Sequence, residues 1–309
     1  MKQILLVICC SLSFLAEAQL TYRNLIVDYD SAKEYKNLRI VPIRRKGPPP
    51  VPGDRDLVSF SEALKKGYVT ISERGSASTE NVHYLRVKNK SKKHIFIASG
   101  EIVLGGRQDR MVKKDTIIGP SDKDQYIDVM CVEEGRWSQK EKKFTYFSYA
   151  NPRLRRTLDQ SGNQVVIWRE ILKQLDSNRV KAATLAYSAT RLNKKLQPQF
   201  ADYFRFFSKQ FNQPDSNIVG MVCMSGNKVL GCDIFESNTL FYSELEALLY
   251  GYIEEAFAFG APVRIKPDDV KKYMDELLKD EASQEEFLKR NGKIYRFQGR
   301  VIHITGFGQ

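Results

Sequence analysis

Between Leu38 and Val132 the chain repeats one device: short apolar or alternating runs, each closed by glycine, proline, asparagine, serine or a charged pair. The runs Leu38–Ile43, Tyr68–Ser72, Val82–Val87, His94–Ala98, Ile102–Leu104 and Tyr126–Val132 are too short for free-standing helices and carry the period of strands. Strands joined by brief turns must reverse direction, so this half is expected to be a mainly antiparallel sheet. One short helix, Ser61–Lys66 before Gly67, interrupts it.

Beyond residue 160 the period lengthens. Gln164–Leu175 sets Val165, Trp168, Leu172 and Leu175 at helical spacing, and Gln199–Phe211 does the same with Phe200, Phe204, Phe207 and Phe211, a stripe expected to be core. Ile218–Met224 and Lys228–Phe235 read as a hairpin about Ser225-Gly-Asn-Lys228, followed by a long helix over Ser243–Phe259 with Leu245, Leu248, Leu249, Tyr252 and Ile253 inward. Two charged helices, Pro267–Asp280 and Ser283–Asn291, precede a hairpin of Ile294–Phe297 and Arg300–Ile304, while Leu185–Lys195 shows no clear period. The expected class is α+β, with strands dominant first and helices and hairpins later, forming one domain over 19–309 that allows a sub-division near 160.

The N-terminus carries Lys2, an apolar run from Ile4 to Leu15 and Ala16-Glu17-Ala18, a secretory pattern with cleavage expected before Gln19. That run is too short to span a bilayer core of about 30 Å, and no later stretch is long and apolar enough, so an extracytoplasmic, periplasmic or secreted protein is expected. Removing Lys2 and Glu17 takes one charge from each of 49 basic and 37 acidic residues and leaves the net charge at +12. Basic residues concentrate at Arg44–Lys46, Lys88–Lys93, Lys140–Lys143 and Arg153–Arg156; such patches favour polyanionic partners or simply solubilise a surface. No nucleic-acid-binding module accompanies them. The stretch Arg44–Asp56, with Pro48, Pro49, Pro50 and Pro52, is expected to be an extended surface loop.

Cleavage also leaves three cysteines, Cys131, Cys223 and Cys232. A two-residue turn at Gly226-Asn227 would set Cys223 opposite Leu230, one step out of register with Cys232, which argues against a bridge between them. The fold therefore has to rest on its apolar core.

The densest chemistry lies in Ser99-Gly-Glu-Ile-Val-Leu-Gly-Gly-Arg-Gln-Asp-Arg110. Gly105 and Gly106 permit positive φ and close approach of a ligand, and Arg107 and Arg110 offer forked donors to phosphate or carboxylate. A second segment, Cys131-Val-Glu-Glu-Gly-Arg-Trp137, adds Glu133, Arg136 and the flat face of Trp137. If the segments converge, Glu101 and Glu133 are candidates for acid and base roles, and Gly105, Gly106, Arg107, Gln108, Asp109, Arg110, Arg136 and Trp137 for binding a small anionic ligand. The alternative is a buried polar network in which arginines and carboxylates satisfy one another. Cys131 lacks a neighbouring base and reads as packing, and His83, His94 and His303 have no metal-ligand spacing. Phosphate-loop, dinucleotide and nucleophile-elbow motifs are missing, and neither a cofactor nor a protein partner can be read from the residues.

These segments resemble a known family, the ARG and Rhodanese-Phosphatase-superfamily-associated Protein domain. The resemblance is carried by Asn37–Pro42, Glu62–Gly67, Gly100-Glu101, Gly105–Arg110, Cys131–Glu133, Gly135–Trp137, Val219-Gly220 and Asp233–Phe235, and so runs through most of the chain. It departs at Arg107 and Asp109, where the family's usual form has lysine and asparagine; arginine at 107 excludes a Schiff-base role there. The family name implies a link to ADP-ribose or nucleotide chemistry. Two functions from different classes are thus expected: a site for a nucleotide or ADP-ribose-like anion where catalysis is open, or a non-enzymatic cell-envelope binding or scaffolding module.

Overall fold

A computed structural model describes residues 19–47, 57–75, 82–211, 215 and 217–308; residues 1–18, expected to be a secretory segment, and most of the proline-rich stretch fall outside these. A seven-stranded antiparallel sheet runs β1 (Leu25–Val27), β3 (Leu38–Arg45), β15 (Ile218–Ser225), β16 (Lys228–Phe235), β18 (Arg300–Phe307) and β17 (Gly292–Phe297), with β2 (Lys33–Tyr35) also paired to β3. Its central strands are apolar on both faces. Ile40, Met221, Cys223 and Phe235 pack with α5 (Gln197–Gln210) and α6 (Asn238–Phe259), whereas Val41, Val222, Cys232 and Ile234 pack with α7 (Pro267–Leu278) and α8 (Glu281–Asn291). Covering both faces removes the alternation expected of a half-solvated sheet.

A six-stranded sheet runs β13 (Lys142–Tyr149), β8 (Glu101–Gly106), β9 (Arg110–Val112), β11 (Gln125–Cys131), β6 (Tyr84–Asn89) and β5 (Val69–Glu73). It folds over a core of Leu85, Val87, Val103, Val112, Ile127 and Phe144. The opposite face, through Ile102, Met111 and Met130, meets Leu154 of α2 (Pro152–Ser161) and Ile167 and Ile171 of α3 (Gln164–Ser177). Two smaller pairings complete the fold: β10 (Thr116–Ile118) with β7 (Ile95–Ile97) and the parallel β4 (Val58–Ser59), which leads into α1 (Phe60–Lys65), and β12 (Glu133–Glu134) with β14 (Leu185–Ala186), which precedes α4 (Ala189–Leu192). The class is α+β, as the sequence pattern predicts.

Several local expectations are corrected. In α3 the buried stripe is Ile167, Ile171 and Leu175, while Val165 and Leu172 are 50% and 41% exposed. The helix has apolar residues on two overlapping stripes, and docking on α2 and β11 selects the one that also places Gln174 against Asn151 at 2.8 Å. Helix α2 was hidden beneath a run of arginines. Its ends are nevertheless written in the chain: Asn151 accepts from Leu154 N–H, Pro152 occupies the first turn, and Gly162 closes the helix at φ +53°. Strand β13 begins with two exposed lysines and shows its apolar character only later, at Phe144 and Tyr149.

The β15–β16 turn spans Gly226-Asn227, but a register shift between Cys223 and Met224 sets Cys223 opposite Gly231 and Cys232 opposite Val222. The two thiols face different cores and form no disulfide, and burial pushes the Cys223 and Cys232 pKa values up.

Candidate functional site

Pairing of β9 with β11 sets Arg110 opposite Cys131, which brings the two polar segments together. Arg136 lies at the centre. Its Nε donates to Glu133 at 2.6 Å, one terminal nitrogen donates to Asp109 at 2.8 Å and the Gly105 carbonyl at 3.0 Å, and the other donates to the Gly106 carbonyl at 3.3 Å. Asp109 accepts in addition from Gly105 N–H at 2.9 Å, and Glu133 accepts from the Thr184 hydroxyl at 2.9 Å and from Asp109 N–H at 3.3 Å. Gln108 donates to the Glu133 carbonyl at 2.9 Å. Burial raises the pKa of Asp109 against the opposing pull of Gly105 N–H and Arg136.

Arg110 is fully buried and reaches Glu73 of β5, with both carboxylate oxygens at 3.4 Å, Cys131 Sγ at 3.1 Å and Gln108 at 3.3 Å. Arg107 donates from its side chain to the Ser138 and Gln139 carbonyls, while its N–H donates to Glu73. Gly105 and Gly106 have φ of +128° and +51°, and a side chain at either would run into Lys143, Phe144 or Glu73. The close approach they permit is therefore to other parts of this chain. Of the predicted site residues, Gly105 through Arg110, Glu133 and Arg136 are brought together and largely buried, and Trp137 stands at the edge, 40% exposed. Glu73, which the cluster needs, carried no sequence signal: a charged residue ending a strand is ordinary.

Glu101 joins a different group. It accepts from Ala98 N–H at 2.6 Å and from the Tyr146 hydroxyl at 2.7 Å, and burial lifts its pKa to about 8. Beside it Glu244 of α6, bonded to Tyr149 at 3.2 Å, is also raised by burial and by the Glu101 charge. His303 and Asp115 act on Glu101 electrostatically and open a further buried chain. His303 Nδ1 is 2.8 Å from Asp115 and its Nε2 is 3.2 Å from Asp233; Asp233 also accepts from both terminal nitrogens of Arg155 at 2.5 and 3.0 Å, from Tyr252 at 2.7 Å and from Thr305 at 3.0 Å. A signal for this chain existed, since Asp233 and His303 interrupt apolar strands where an unpaired polar group would be costly. Gly100, at φ +89°, lies against Arg155: a Cβ there would sit 2.7 Å from Arg155 Cγ.

Two surface clefts lie elsewhere. One of about 220 Å³ lies between Asn227–Val229 and α7, and one of about 260 Å³ lies between α2, the start of β16 and the end of β18. Neither is lined by the Arg136 cluster. Among the described residues no group of three His, Cys, Asp or Glu could hold a metal ion, and no helix is long and apolar enough to cross a membrane.

No curated protein and no solved structure matches the chain significantly. A family model does match, over residues 26–307, which takes in both large sheets, the Arg136 cluster and the Asp233 network. The chain belongs to the ARG and Rhodanese-Phosphatase-superfamily-associated Protein domain family.

Proposed function

We propose that the chain is an exported, non-enzymatic binding or scaffolding module of the cell envelope, in which the arginine and carboxylate cluster acts as a structural clasp. The observation that carries this reading is the state of Arg136, whose three nitrogens are all engaged by Glu133, Asp109 and the Gly105 and Gly106 carbonyls. An anion arriving there would have to displace charge-assisted bonds already made, and Arg107 is likewise committed to the Ser138 and Gln139 carbonyls. The clasp ties the β8–β9 turn to the segment after β11 and thereby holds one rim of the six-stranded sheet. Arg136→Ala is expected to destabilise the protein by about 2–4 kcal/mol, because it strands two mostly buried carboxylates, whereas Trp137→Ala should stay within about 0.5 kcal/mol. Urea denaturation of both variants decides it, and an Arg136→Ala protein as stable as its parent rejects the clasp.

A second reading is favoured by Trp137, an exposed indole adjacent to Arg136: a small anionic ligand of the nucleotide or ADP-ribose class stacks there, with Glu133 as the acid–base group if catalysis follows, Glu101 being buried in the separate Tyr146 and Glu244 group. It requires that Trp137→Ala abolish ADP-ribose binding in calorimetry while leaving stability intact.

Export rests on Lys2, the Ile4–Leu15 run and Ala16-Glu17-Ala18. Intact-mass analysis of the protein from its native host should find a chain beginning at Gln19, and a cytosolic protein retaining residues 1–18 would overturn this part of the reading.

A further inference from the structure

We propose that the cleft between α2 and the start of β16 is a binding site for a small phosphomonoester, with Arg156 and Lys228 as its anion-holding pair. This site is separate from the clasp and does not depend on it. The cleft, about 260 Å³, is walled by α2 through Arg153, Arg156, Thr157 and Gln160, and floored by Val229, Leu230 and Phe307. Three cations and two carboxylates line it, but the carboxylates are already assigned. Glu255 and Glu170 both turn to Arg153, at 3.4 and 3.7 Å from its Nε. Among the described residues neither Arg156 nor Lys228 makes a close ion pair, although the Lys228 charge acts on Glu255 through space; Arg156 donates to the Gly308 carbonyl at 2.7 Å, and Lys228 is exposed at the cleft rim.

A forked guanidinium and an ammonium facing one hollow match a tetrahedral dianion, and the apolar floor suits the ring or carbon chain that it carries. The volume is slightly below the usual range for organic ligands, roughly 300–1,000 Å³, which favours a compact group such as a pentose over a dinucleotide. The neighbouring cleft reinforces that choice. It shares Lys228 and Val229 but sets Asp269 and Glu276 against Lys228 and Lys272, so a second phosphate extending into it would find no net positive charge to hold it.

The test is isothermal calorimetry on the full mature chain with ribose 5-phosphate, inorganic phosphate, ribose and ADP-ribose as probes. Ribose 5-phosphate is expected to bind, inorganic phosphate more weakly, and ribose not measurably. ADP-ribose should bind more weakly than ribose 5-phosphate. Arg156→Ala and Lys228→Ala should each weaken ribose 5-phosphate at least tenfold, and Lys228→Glu should abolish it. Thermal unfolding without ligand keeps the result interpretable: Lys228 is exposed, so its variants should melt with the parent even if Arg156→Ala loses stability through Gly308. Failure of ribose 5-phosphate to bind at millimolar concentration, equal binding of ribose, or unchanged affinity in both Lys228 variants would overturn the site. Those outcomes leave the clasp untouched, since that reading fails only through the stability of Arg136→Ala.

Discussion

Asp233→Ala is expected to destabilise the protein by about 3–5 kcal/mol, the largest single-site loss foreseen here. Asp233 is fully buried on β16, and Arg155 and His303 beside it are buried as well. The Arg155 guanidinium and the His303 imidazole hold its carboxyl well below the usual carboxylate range, against the effect of burial, and Asp233 in turn raises the Arg155 pKa. Truncating it leaves the Arg155 guanidinium, the His303 imidazole and the Tyr252 hydroxyl without their shared acceptor in a low-dielectric interior, which is the costly way to break a buried pair. The network also has an architectural role. It bolts the seven-stranded sheet, through Asp233, His303 and Thr305, to α2 by Arg155, to α6 by Tyr252 and to the β9–β10 connection by Asp115. Arg155→Met should cost less, about 1–3 kcal/mol, because the carboxylate keeps Tyr252, Thr305 and His303. Combined with Asp233→Ala it should add little, since the stranded cation is gone, giving a coupling of roughly 1–3 kcal/mol in a double-mutant cycle. Urea midpoints measure all three variants. A strictly additive cycle, or Asp233→Ala within about 0.5 kcal/mol of the parent, would show that the ion pair does not hold these layers together.

The legible parts of the fold share one property: their pattern is set by local chemistry. The β15–β16 hairpin follows from Gly226-Asn227 between two apolar runs, and the β17–β18 hairpin from Gln298-Gly299, both residues at positive φ. The inward residues Leu245, Leu248, Leu249, Tyr252 and Ile253 follow from a 3.6-residue period, although α6 is also buried at Glu244, Ala247, Gly251, Glu254 and Glu255, which that stripe does not mark. What escaped was decided by tertiary partners. Helix α3 carries two apolar stripes, and only contact with α2 and β11 tells Ile167 from Val165. The register shift at Cys223 likewise has no local signature.

The candidate cluster divides along the same line. Residues 105–110 and 131–136 were legible as partners because each is a dense polar stretch beside a strand, and β9–β11 pairing makes them meet. Glu73 was not, because it comes from a strand on the other side of the curled sheet, and neither was the exclusion of Glu101. Glu101 lies at the start of β8, at the end of the strand away from Gly105 and Gly106, so its carboxylate falls among Ala98, Tyr146 and the α6 acid Glu244 instead of beside Arg136. Richness in charge marked the right region; which charges share a hollow was a matter of strand length and curl.

The displaced glutamate sets the second large effect, a stability that falls as pH rises across the neutral range. Glu101 titrates at about 8 in the folded chain against an ordinary value of 4.5, chiefly because burial penalises the anion; Glu244, fully buried beside it, is raised in the same direction. Both are acids whose folded pKa lies above the unfolded one. The native state therefore keeps protons that the unfolded chain has released between about pH 4.5 and 8, and the stabilisation present below that window is lost as pH climbs through it. His303 adds a loss of the same sign above its ordinary 6.5, since Asp115 and Asp233 raise its pKa too, whereas Asp115, held low by His303 and Lys293, loses its contribution only on acidification. A full shift of Glu101 alone corresponds to roughly 5 kcal/mol at about 1.4 kcal/mol per pH unit, and sharing of protons with Glu244 makes a few kcal/mol the expected size. Glu101→Gln removes that titration while keeping an acceptor for Ala98 N–H or Tyr146. It should match the parent within about 1 kcal/mol at pH 5 and exceed it by about 2–3 kcal/mol at pH 8.5, and Glu244→Gln should act in the same direction. Urea midpoints at pH 5, 7 and 8.5 provide the comparison; parallel slopes for parent and Glu101→Gln would mean that Glu101 is ionised in the native protein, and that its burial among Tyr146, Tyr149 and Glu244 does not retain the proton.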